Sequence, residues 1–271
     1  MKPVIEKLDA VLGAQVSGVD LREDLAPDTV STLREALFAH QVLFFRDQAL
    51  DDEQHLAFAR NFGRPLVFPV VEMLGSDVPL EFVLDDEQNK SKADYWHTDI
   101  TWLPDPPKLG VLSAQVIPET GGDTLWCSLY SIYEDLSAEQ RERIAQLVVE
   151  HRPGPAFFDA VLGRLGDDFM ARFRARYGDG AQHPLCRNHY VTERPLVYLA
   201  GGFMHEVVDW ERDASRELIR ELMAIADRPK HQIRWRWREN DVAIWDERST
   251  MHQVDSDHWP QKRLMRRCTL G

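Results

Sequence analysis

The chain has 271 residues, 44% of them hydrophobic, and carries 45 acidic against 32 basic side chains, a formal net charge of −13 at pH 7. This acidity argues against nucleic acid and anionic membrane surfaces as partners, because their negative charges would be repelled at long range. The length and the apolar content suffice for a sizeable hydrophobic core.

Hydrophobic periodicity and turn residues predict the elements of one domain, residues 1–271, since neither a linker nor an internal repeat divides the chain. In chain order they predict a helix over 30–37, a strand over 42–45, a helix over 56–62, strands over 80–84 and 109–117, a helix from the capping box at Ser137 that includes 144, 147 and 148, a strand over 196–199, a helix over 213–226, strands over 233–237 and 242–245, and a strand over 263–269.

The order of these elements indicates the fold class. Strands dominate the two regions that carry the candidate metal ligands, and the helices lie before and between them, so β-α-β alternation does not fit. We expect a mainly β protein with flanking helices, built as a double-sheet jelly roll. The mouth of such a barrel can hold a metal ion and a small ligand.

The cysteines and the N-terminus bear on the compartment. Cys127, Cys186 and Cys268 are widely spaced and form no C-x-x-C pair, so we expect three reduced thiols. Residues 1–18 lack the pattern of a signal peptide, and no apolar run is long enough to span a bilayer. The sequence therefore predicts a soluble, cytoplasmic protein.

A candidate metal site lies in Trp96-His97-Thr98-Asp99. In an extended segment residues i and i+2 point to the same side, so His97 and Asp99 can bind one ion. His252 is the best candidate for a third ligand. Two imidazoles and one carboxylate suit Fe(II) with three open positions, but they do not exclude a catalytic zinc ion.

Two further residues favour iron, because they can hold a chelating ligand with a second carboxylate. Gly121-Gly122-Asp123-Thr124 is a glycine turn that leads into a strand and presents a hydroxyl, and Arg263 lies one strand beyond His252. A guanidinium binds a carboxylate through two parallel hydrogen bonds. Alternation along the strand over 263–269 predicts that Arg263 and Arg267 both face the barrel interior.

With these motifs the chain resembles the taurine dioxygenase family of Fe(II)- and 2-oxoglutarate-dependent dioxygenases, which includes alkylsulfatases and aryloxyalkanoate dioxygenases. The resemblance extends over nearly the whole chain. Its matching segments are Gly13-Ala14-x-Val16-Ser17-Gly18-Val19-Asp20-Leu21, Trp96-His97-Thr98-Asp99, Gly121-Gly122-Asp123-Thr124, Arg234-Trp235-Arg236-Trp237, Trp245-Asp246-x-Arg248 and the stretch from His252 to Arg267.

The resemblance implies a double-stranded β-helix and a set of roles. It implies His97, Asp99 and His252 as catalytic iron ligands, and Thr124 with Arg263 as the holders of the distal carboxylate of 2-oxoglutarate. It places Arg267 close to the primary substrate. The cosubstrates implied are 2-oxoglutarate and O2, with ascorbate as an aid in vitro.

Departures from the family bear on the substrate. Taurine dioxygenase itself uses a histidine, a tyrosine and an asparagine where this chain has Phe68, Val71 and Ala93, so taurine is not the expected substrate. Apolar side chains there favour a larger and more hydrophobic molecule. Phe203 matches a family aromatic near the substrate, and Phe157 and Phe158 fall in a segment that is mobile in many relatives.

We therefore expect an enzyme that hydroxylates an unactivated C–H bond of a small, anionic and partly hydrophobic molecule and releases succinate and CO2. The alternatives are oxidative cleavage of an alkyl sulfate, a sulfonate or an aryloxyalkanoate, and desaturation or another tailoring step in biosynthesis. A zinc hydrolase and a binding module with a vestigial metal site are further alternatives. We expect the protein to form a homo-oligomer, a dimer or a tetramer.

Overall fold

The computed structural model describes residues 2–90, 93–154 and 164–271. The strands are β1 Val4–Lys7, β2 Ala14–Ser17, β3 Val42–Phe45, β4 Pro65–Leu66, β5 Glu81–Asp85, β6 Leu109–Val116, β7 Thr124–Ser128, β8 Val148–His151, β9 Ala181–Pro184, β10 Cys186–Asn188, β11 Pro195–Val197, β12 Met204–Val207, β13 Gln232–Trp235, β14 Val242–Asp246, β15 Thr250–Val254 and β16 Arg263–Leu270. The helices are α1 Pro27–His40, α2 Asp52–Arg60, α3 Pro69–Met73, α4 Leu129–Asp135, α5 Ala138–Ile144, α6 Asp167–Tyr177 and α7 Arg212–Ala226, with 3-10 turns at Pro229–His231 and Ser256–His258. Within these residues, no helix is both long and apolar enough to cross a membrane.

Two facing sheets form the core. The larger has the order β1-β2-β3-β14-β6-β16-β4, with β5 also paired to β16, and the smaller has the order β13-β7-β15. Phe44 and Trp245 from the large sheet pack with Trp126 and Trp235 from the small one, and the rings of Phe44 and Trp235 stack with centroids 4.1 Å apart. This shared apolar interior confirms the predicted mainly β, jelly-roll architecture.

Helices cover the outer faces of both sheets. Leu33 and Leu37 of α1 and Phe58 of α2 pack on the large sheet, against Phe45 and Ile244. α4, α6 and α7 cover the small sheet in a second cluster that includes residues of β7 and β15. Since the strands are buried on both sides, segments such as Val42–Phe45 are apolar throughout rather than alternating.

Several predicted boundaries differ from the structure. The helix that begins after the Ser137 capping box ends at Ile144, and Val148, predicted to continue it, begins β8. Pairing with β9 and β12 outweighs the helical spacing of the apolar residues, because β-branched side chains fit a pleated sheet. The strands predicted over 196–199 and 233–237 end earlier, at Val197 and Trp235.

Two buried histidines predict acid sensitivity. Burial lowers the pKa of His151 from 6.5 to about 3, with a smaller contribution from the charge of His183, and burial likewise lowers the pKa of His55 to about 4. Below about pH 6.5 the unfolded chain binds protons that the folded chain does not, so stability is lost as the pH falls toward these folded-state values. We expect a loss of roughly 1.4 kcal/mol per pH unit for each histidine in that window.

Chemical denaturation between pH 7 and 4.5 measures this slope. His151→Phe should flatten it, because phenylalanine takes up no proton, whereas the same change at the partly exposed His205 should not. Parallel curves for the wild type and His151→Phe would contradict the prediction.

Candidate metal and ligand site

The two candidate histidine ligands are joined through their backbones. The His97 amide donates to the His252 carbonyl at 3.0 Å, and the His252 amide donates to the His97 carbonyl at 2.8 Å. A pair bonded in this way presents its side chains on one face of the sheet. The ring centroids of His97 and His252 lie 4.3 Å apart, so β15 fixes one imidazole beside the other.

Asp99 completes the cluster. His97 Nε2 and Asp99 Oδ1 are 3.8 Å apart, and one potential ligand atom from each of His97, Asp99 and His252 lies within 4.8 Å of the others. All three residues are buried. Between them, the Thr98 hydroxyl lies within hydrogen-bond distance of the Leu199 and Thr250 carbonyls, which fixes the segment in place. The side chains of His97 and Asp99 lie close together, as predicted, although Asp99 lies in a turn rather than in an extended segment.

The protonation states of the two imidazoles suit a metal. His97 Nδ1 lies 2.8 Å from the Tyr95 carbonyl and donates to it, which leaves the lone pair of Nε2 free to bind a metal ion beside Asp99. Burial lowers the pKa of His97, and burial followed by the proximity of His97 lowers the pKa of His252 to about 3. Both rings are therefore neutral at physiological pH, the form that binds a metal ion.

Arg267 lies between two carboxylates. Its Nη1 donates to both oxygens of Asp99 at 3.1 and 3.0 Å, and its Nη2 donates to Glu81 at 3.0 Å. Burial alone would raise the pKa of Asp99, but the charge of Arg267 lowers it. Asp99 is therefore held as an anion.

Glu247 holds the backbone of Asp99 in place. Its side chain is fully buried and accepts hydrogen bonds from the Asp99 amide at 3.2 Å and from the Trp245 indole at 2.8 Å. Burial, and then the charge of Asp99, raise the pKa of Glu247 well above its usual range. This contact links the position of Asp99 to the turn between β14 and β15.

Thr124 and Arg263 form a second polar pair in the same cavity as the two histidines. Arg263 donates from Nε to the Gly122 carbonyl at 3.0 Å and from Nη2 to the Thr124 hydroxyl at 3.3 Å, while the Trp237 indole donates to that hydroxyl at 2.9 Å. Since Thr124 Oγ1 accepts these bonds, its own hydrogen remains able to donate to a ligand.

The charge of Arg263 lacks a direct counterion. Burial lowers its pKa to about 10, although Asp85 and Asp123 oppose the shift from a distance, and no ion pair among the described residues includes it. A buried guanidinium without a carboxylate in contact is costly. The pair formed with Thr124 therefore fits a ligand carboxylate, and the nearby His-Asp-His cluster fits a divalent metal ion.

The other predicted substrate residues are only partly brought together. Ala93 and Arg267 line the cavity, and the ring of Phe203 lies edge-on to His97 with centroids 6.5 Å apart. Phe68 and Val71 lie at the start of α3 and are not among the described residues that line the cavity. Phe157 and Phe158 lie outside the described residues.

Sequence reasoning did not identify Glu81 and Glu247. Glu81 lies opposite Arg267 in the pairing of β5 with β16, and this register cannot be read from either strand alone. Glu247 occupies the unassigned position of Trp245-Asp246-x-Arg248. A glutamate so soon after the apolar run 242–245 is a candidate for burial, and that observation could have drawn attention to it.

Comparison with known proteins agrees with this geometry. The family described as taurine catabolism dioxygenase TauD, TfdA family, matches residues 5–269. An alkylsulfatase of Acinetobacter baylyi is 36% identical over 98% of this chain and 84% of its own length, and an alpha-ketoglutarate-dependent sulfate ester dioxygenase of Pseudomonas putida is 33% identical over 96% of this chain and 86% of its own.

Solved structures of dioxygenases are also similar to this chain. AAD-2, in complex with Mn(II) and N-oxalylglycine, matches with a TM-score of 0.81 and 30% identity over 100% of this chain and 97% of that one. A taurine dioxygenase from Burkholderia xenovorans matches with a TM-score of 0.83 and 32% identity, over 100% of this chain and 89% of that one. The zinc hydrolase and the vestigial binding module do not fit these relationships. The chain belongs to the TauD/TfdA family and is an alpha-ketoglutarate-dependent dioxygenase, which uses Fe(II), 2-oxoglutarate and O2 on a small-molecule substrate.

Proposed function

We propose that His97, Asp99 and His252 bind the catalytic Fe(II), and that Arg263 and Thr124 bind the distal carboxylate of 2-oxoglutarate. The observation that carries this assignment is the buried guanidinium of Arg263, which makes no ion pair among the described residues and lies in the same cavity as His97 and His252. A metal alone would not need that cation, whereas a dicarboxylate that chelates the metal does.

In this assignment the protein positions the reactants. Fe(II) and 2-oxoglutarate supply the oxidation of an unactivated C–H bond by O2, with release of succinate and CO2. Arg263 and Thr124 orient the cosubstrate, and Arg267 holds Asp99 as an anion toward the metal. Trp126, Trp245 and other apolar side chains of the cavity wall exclude water from the reaction.

We further propose that the substrate is a small, anionic and partly hydrophobic molecule that lies between Arg267, Ala93 and Phe203, with Phe68 and Val71 at its outer end. The cation and the apolar wall support this class, and the sulfate ester, sulfonate and phenoxypropionate dioxygenases among the relatives act on such molecules by name. Taurine is a poor fit because Ala93 offers no polar group. Hydroxylation next to a sulfate ester or aryl ether oxygen would release the two fragments.

Substrate-stimulated succinate release tests the proposal. The enzyme is supplied with Fe(II), ascorbate, 2-oxoglutarate and O2, and alkyl sulfates, sulfonates, aryloxyacids and N-substituted amino acids are compared. We expect the anionic amphiphiles to stimulate turnover and taurine not to do so. Stimulation by taurine alone would contradict the substrate proposal.

Glu81 should limit the affinity for anionic substrates, because it occupies Nη2 of Arg267. Replacing Glu81 by Gln frees this positive charge, and we expect KM for the best anionic substrate to fall by roughly five- to tenfold, about 1–1.4 kcal/mol. Asp86→Asn, a neutralised carboxylate just beyond the same strand, is the control. An equal change in KM for an uncharged analogue would show that the effect is not electrostatic.

We also propose that residues 1–271 act as one domain, that the enzyme is cytoplasmic and that it forms a homo-oligomer. The core shared by both sheets supports the first, and three unpaired cysteines support the second. Phe82 and Leu84 of β5 support the third, since both are exposed apolar side chains on one strand. Mass photometry of the wild type and of Phe82→Ser tests the assembly; a monomeric wild type would refute it.

A further inference from the structure

A second cavity, of about 190 Å3, lies apart from the candidate active site. Arg187 and Asn188 of β10 and Arg248, in the turn after β14, contribute to its wall, and residues 104–106 form part of its rim. None of its described lining residues is shared with the cavity that contains His97 and His252. Its volume corresponds to roughly six water molecules at about 30 Å3 each, so a small ion can enter.

The guanidinium of Arg187 is partly buried without a carboxylate in contact. Its Cζ lies 3.3 Å from the centroid of the Tyr198 ring, and it takes part in no ion pair within the described ranges of the chain. Burial lowers the pKa of Arg187, and the charge of Arg248 lowers it as well, while Tyr198 opposes the shift. A cation removed from water in this way is stabilised by any anion that reaches it.

Arg248 adds a second cation that is poorly compensated. Its Cζ lies 3.9 Å from the centroid of the Tyr190 ring, and its nearest ion-pair partner is Asp105 at 3.9 Å. The Asp105 side chain is 84% exposed, so solvent screens this contact. Asp246, the other nearby carboxylate, is already engaged by His189 at 2.8 Å and by Ser249 at 2.8 Å.

The remaining polar groups favour an anion over a metal ion. His183 Nε2 donates to the Thr101 carbonyl at 2.7 Å, and His189 Nδ1 accepts from the Thr192 amide at 3.2 Å while its Nε2 faces Asp246. Both imidazoles are therefore held by protein groups. The other polar groups of the wall are two guanidiniums, the exposed Asn188 amide, the phenols of Tyr190 and Tyr198 and the exposed carboxylate of Asp105. Donors and positive charge therefore outweigh the single acid.

We propose that this cavity binds a small dianion, a sulfate-like oxyanion or a short dicarboxylate, between the guanidiniums of Arg187 and Arg248. The site is separate from the one that carries the proposed reaction, and its occupancy does not depend on the identity of the substrate. It borders that site through two contacts. Arg248 follows Glu247, which binds the Asp99 amide, and His183 binds the carbonyl of Thr101, two residues beyond Asp99.

Isothermal titration of the full-length, metal-free protein with sulfate and, separately, with succinate tests the site. We expect Arg187→Gln and Arg248→Gln each to weaken binding of at least one of the two anions by roughly 10- to 100-fold, through the loss of charge-assisted hydrogen bonds. Asp105→Asn should strengthen the same binding several-fold, because it removes the competing carboxylate. Arg194→Gln removes an exposed arginine that also stacks on a tyrosine, and it should change nothing.

Comparing the two anions shows which chemical class of ligand the cavity binds. Sensitivity of sulfate binding alone identifies an oxyanion site, and sensitivity of succinate binding alone identifies a dicarboxylate site. If Arg187→Gln fails to fold, Asp105→Asn still tests the site, because the Asp105 side chain is exposed and its replacement should not disturb the fold. The proposal is overturned if the substitutions of Arg187, Arg248 and Asp105 leave the binding of both anions unchanged. It is also overturned if neither anion binds at millimolar concentrations.

Discussion

Asp99→Ala is expected to abolish Fe(II)-dependent succinate release and to weaken metal binding by more than roughly 100-fold, beyond the 10- to 100-fold typical of losing a group that only orients a ligand. The variant removes the one carboxylate of the proposed ligand set. It also leaves Arg267, which donates to both Asp99 oxygens, beside an incoming cation without its main counter-charge.

Asp94→Ala is the matched control for this experiment. Asp94 lies on the same segment, five positions before Asp99, but its side chain is exposed and bonds to Ser256 at 3.2 Å. It should retain succinate release and metal affinity. His252→Ala should behave like Asp99→Ala, with circular dichroism confirming that both variants fold. Equal turnover in Asp99→Ala and Asp94→Ala would refute the proposed ligand set.

The sequence predicted the parts of the site that depend on local geometry. The two-residue repeat of an extended chain predicted that Arg263 and Arg267 line one cavity, as they do. It also predicted that the side chains of His97 and Asp99 lie close together, and they do so although Asp99 lies in a turn. Strand pattern also predicted the jelly roll. The boundary at Val148 was wrong because the pairing partners of that residue lie far away in the sequence, in β9 and β12.

What the sequence could not predict depends on register between distant strands. Arg267 was expected to lie close to the substrate, but β5 places Glu81 opposite it, and both terminal nitrogens of the guanidinium already bond to Asp99 and Glu81. Glu247 reaches the Asp99 amide only because the turn after β14 folds against residues 97–99. Alternation within a strand predicts on which face of the sheet a side chain lies, but it does not predict which residue of the paired strand lies beside it.

The second large effect is expected for Arg263→Gln, which should raise the apparent KM for 2-oxoglutarate by roughly 10- to 100-fold. Loss of a charge-assisted hydrogen bond to a carboxylate costs about 1.5–3 kcal/mol. Glutamine can still donate to the Gly122 carbonyl, so the local fold should persist. Arg266→Gln is the control, because Arg266 bonds to the Leu50 carbonyl and to Asp52, away from the cavity.

A cosubstrate analogue separates the proposed role from a general disturbance of the site. A 2-oxo acid that lacks the distal carboxylate makes no contact with Arg263, so its weak turnover should be the same in the wild type and in Arg263→Gln. The difference between the two cosubstrates then measures the interaction of the guanidinium with that carboxylate, as in a double-mutant cycle. Thr124→Val should also impair the use of 2-oxoglutarate but not that of the analogue. The expected rise in KM for 2-oxoglutarate is roughly fivefold, about 1 kcal/mol, because the variant removes one neutral donor. If Arg263→Gln slows both 2-oxo acids equally, Arg263 acts on the metal or on the fold, and the assignment of the 2-oxoglutarate site to Thr124 and Arg263 is wrong.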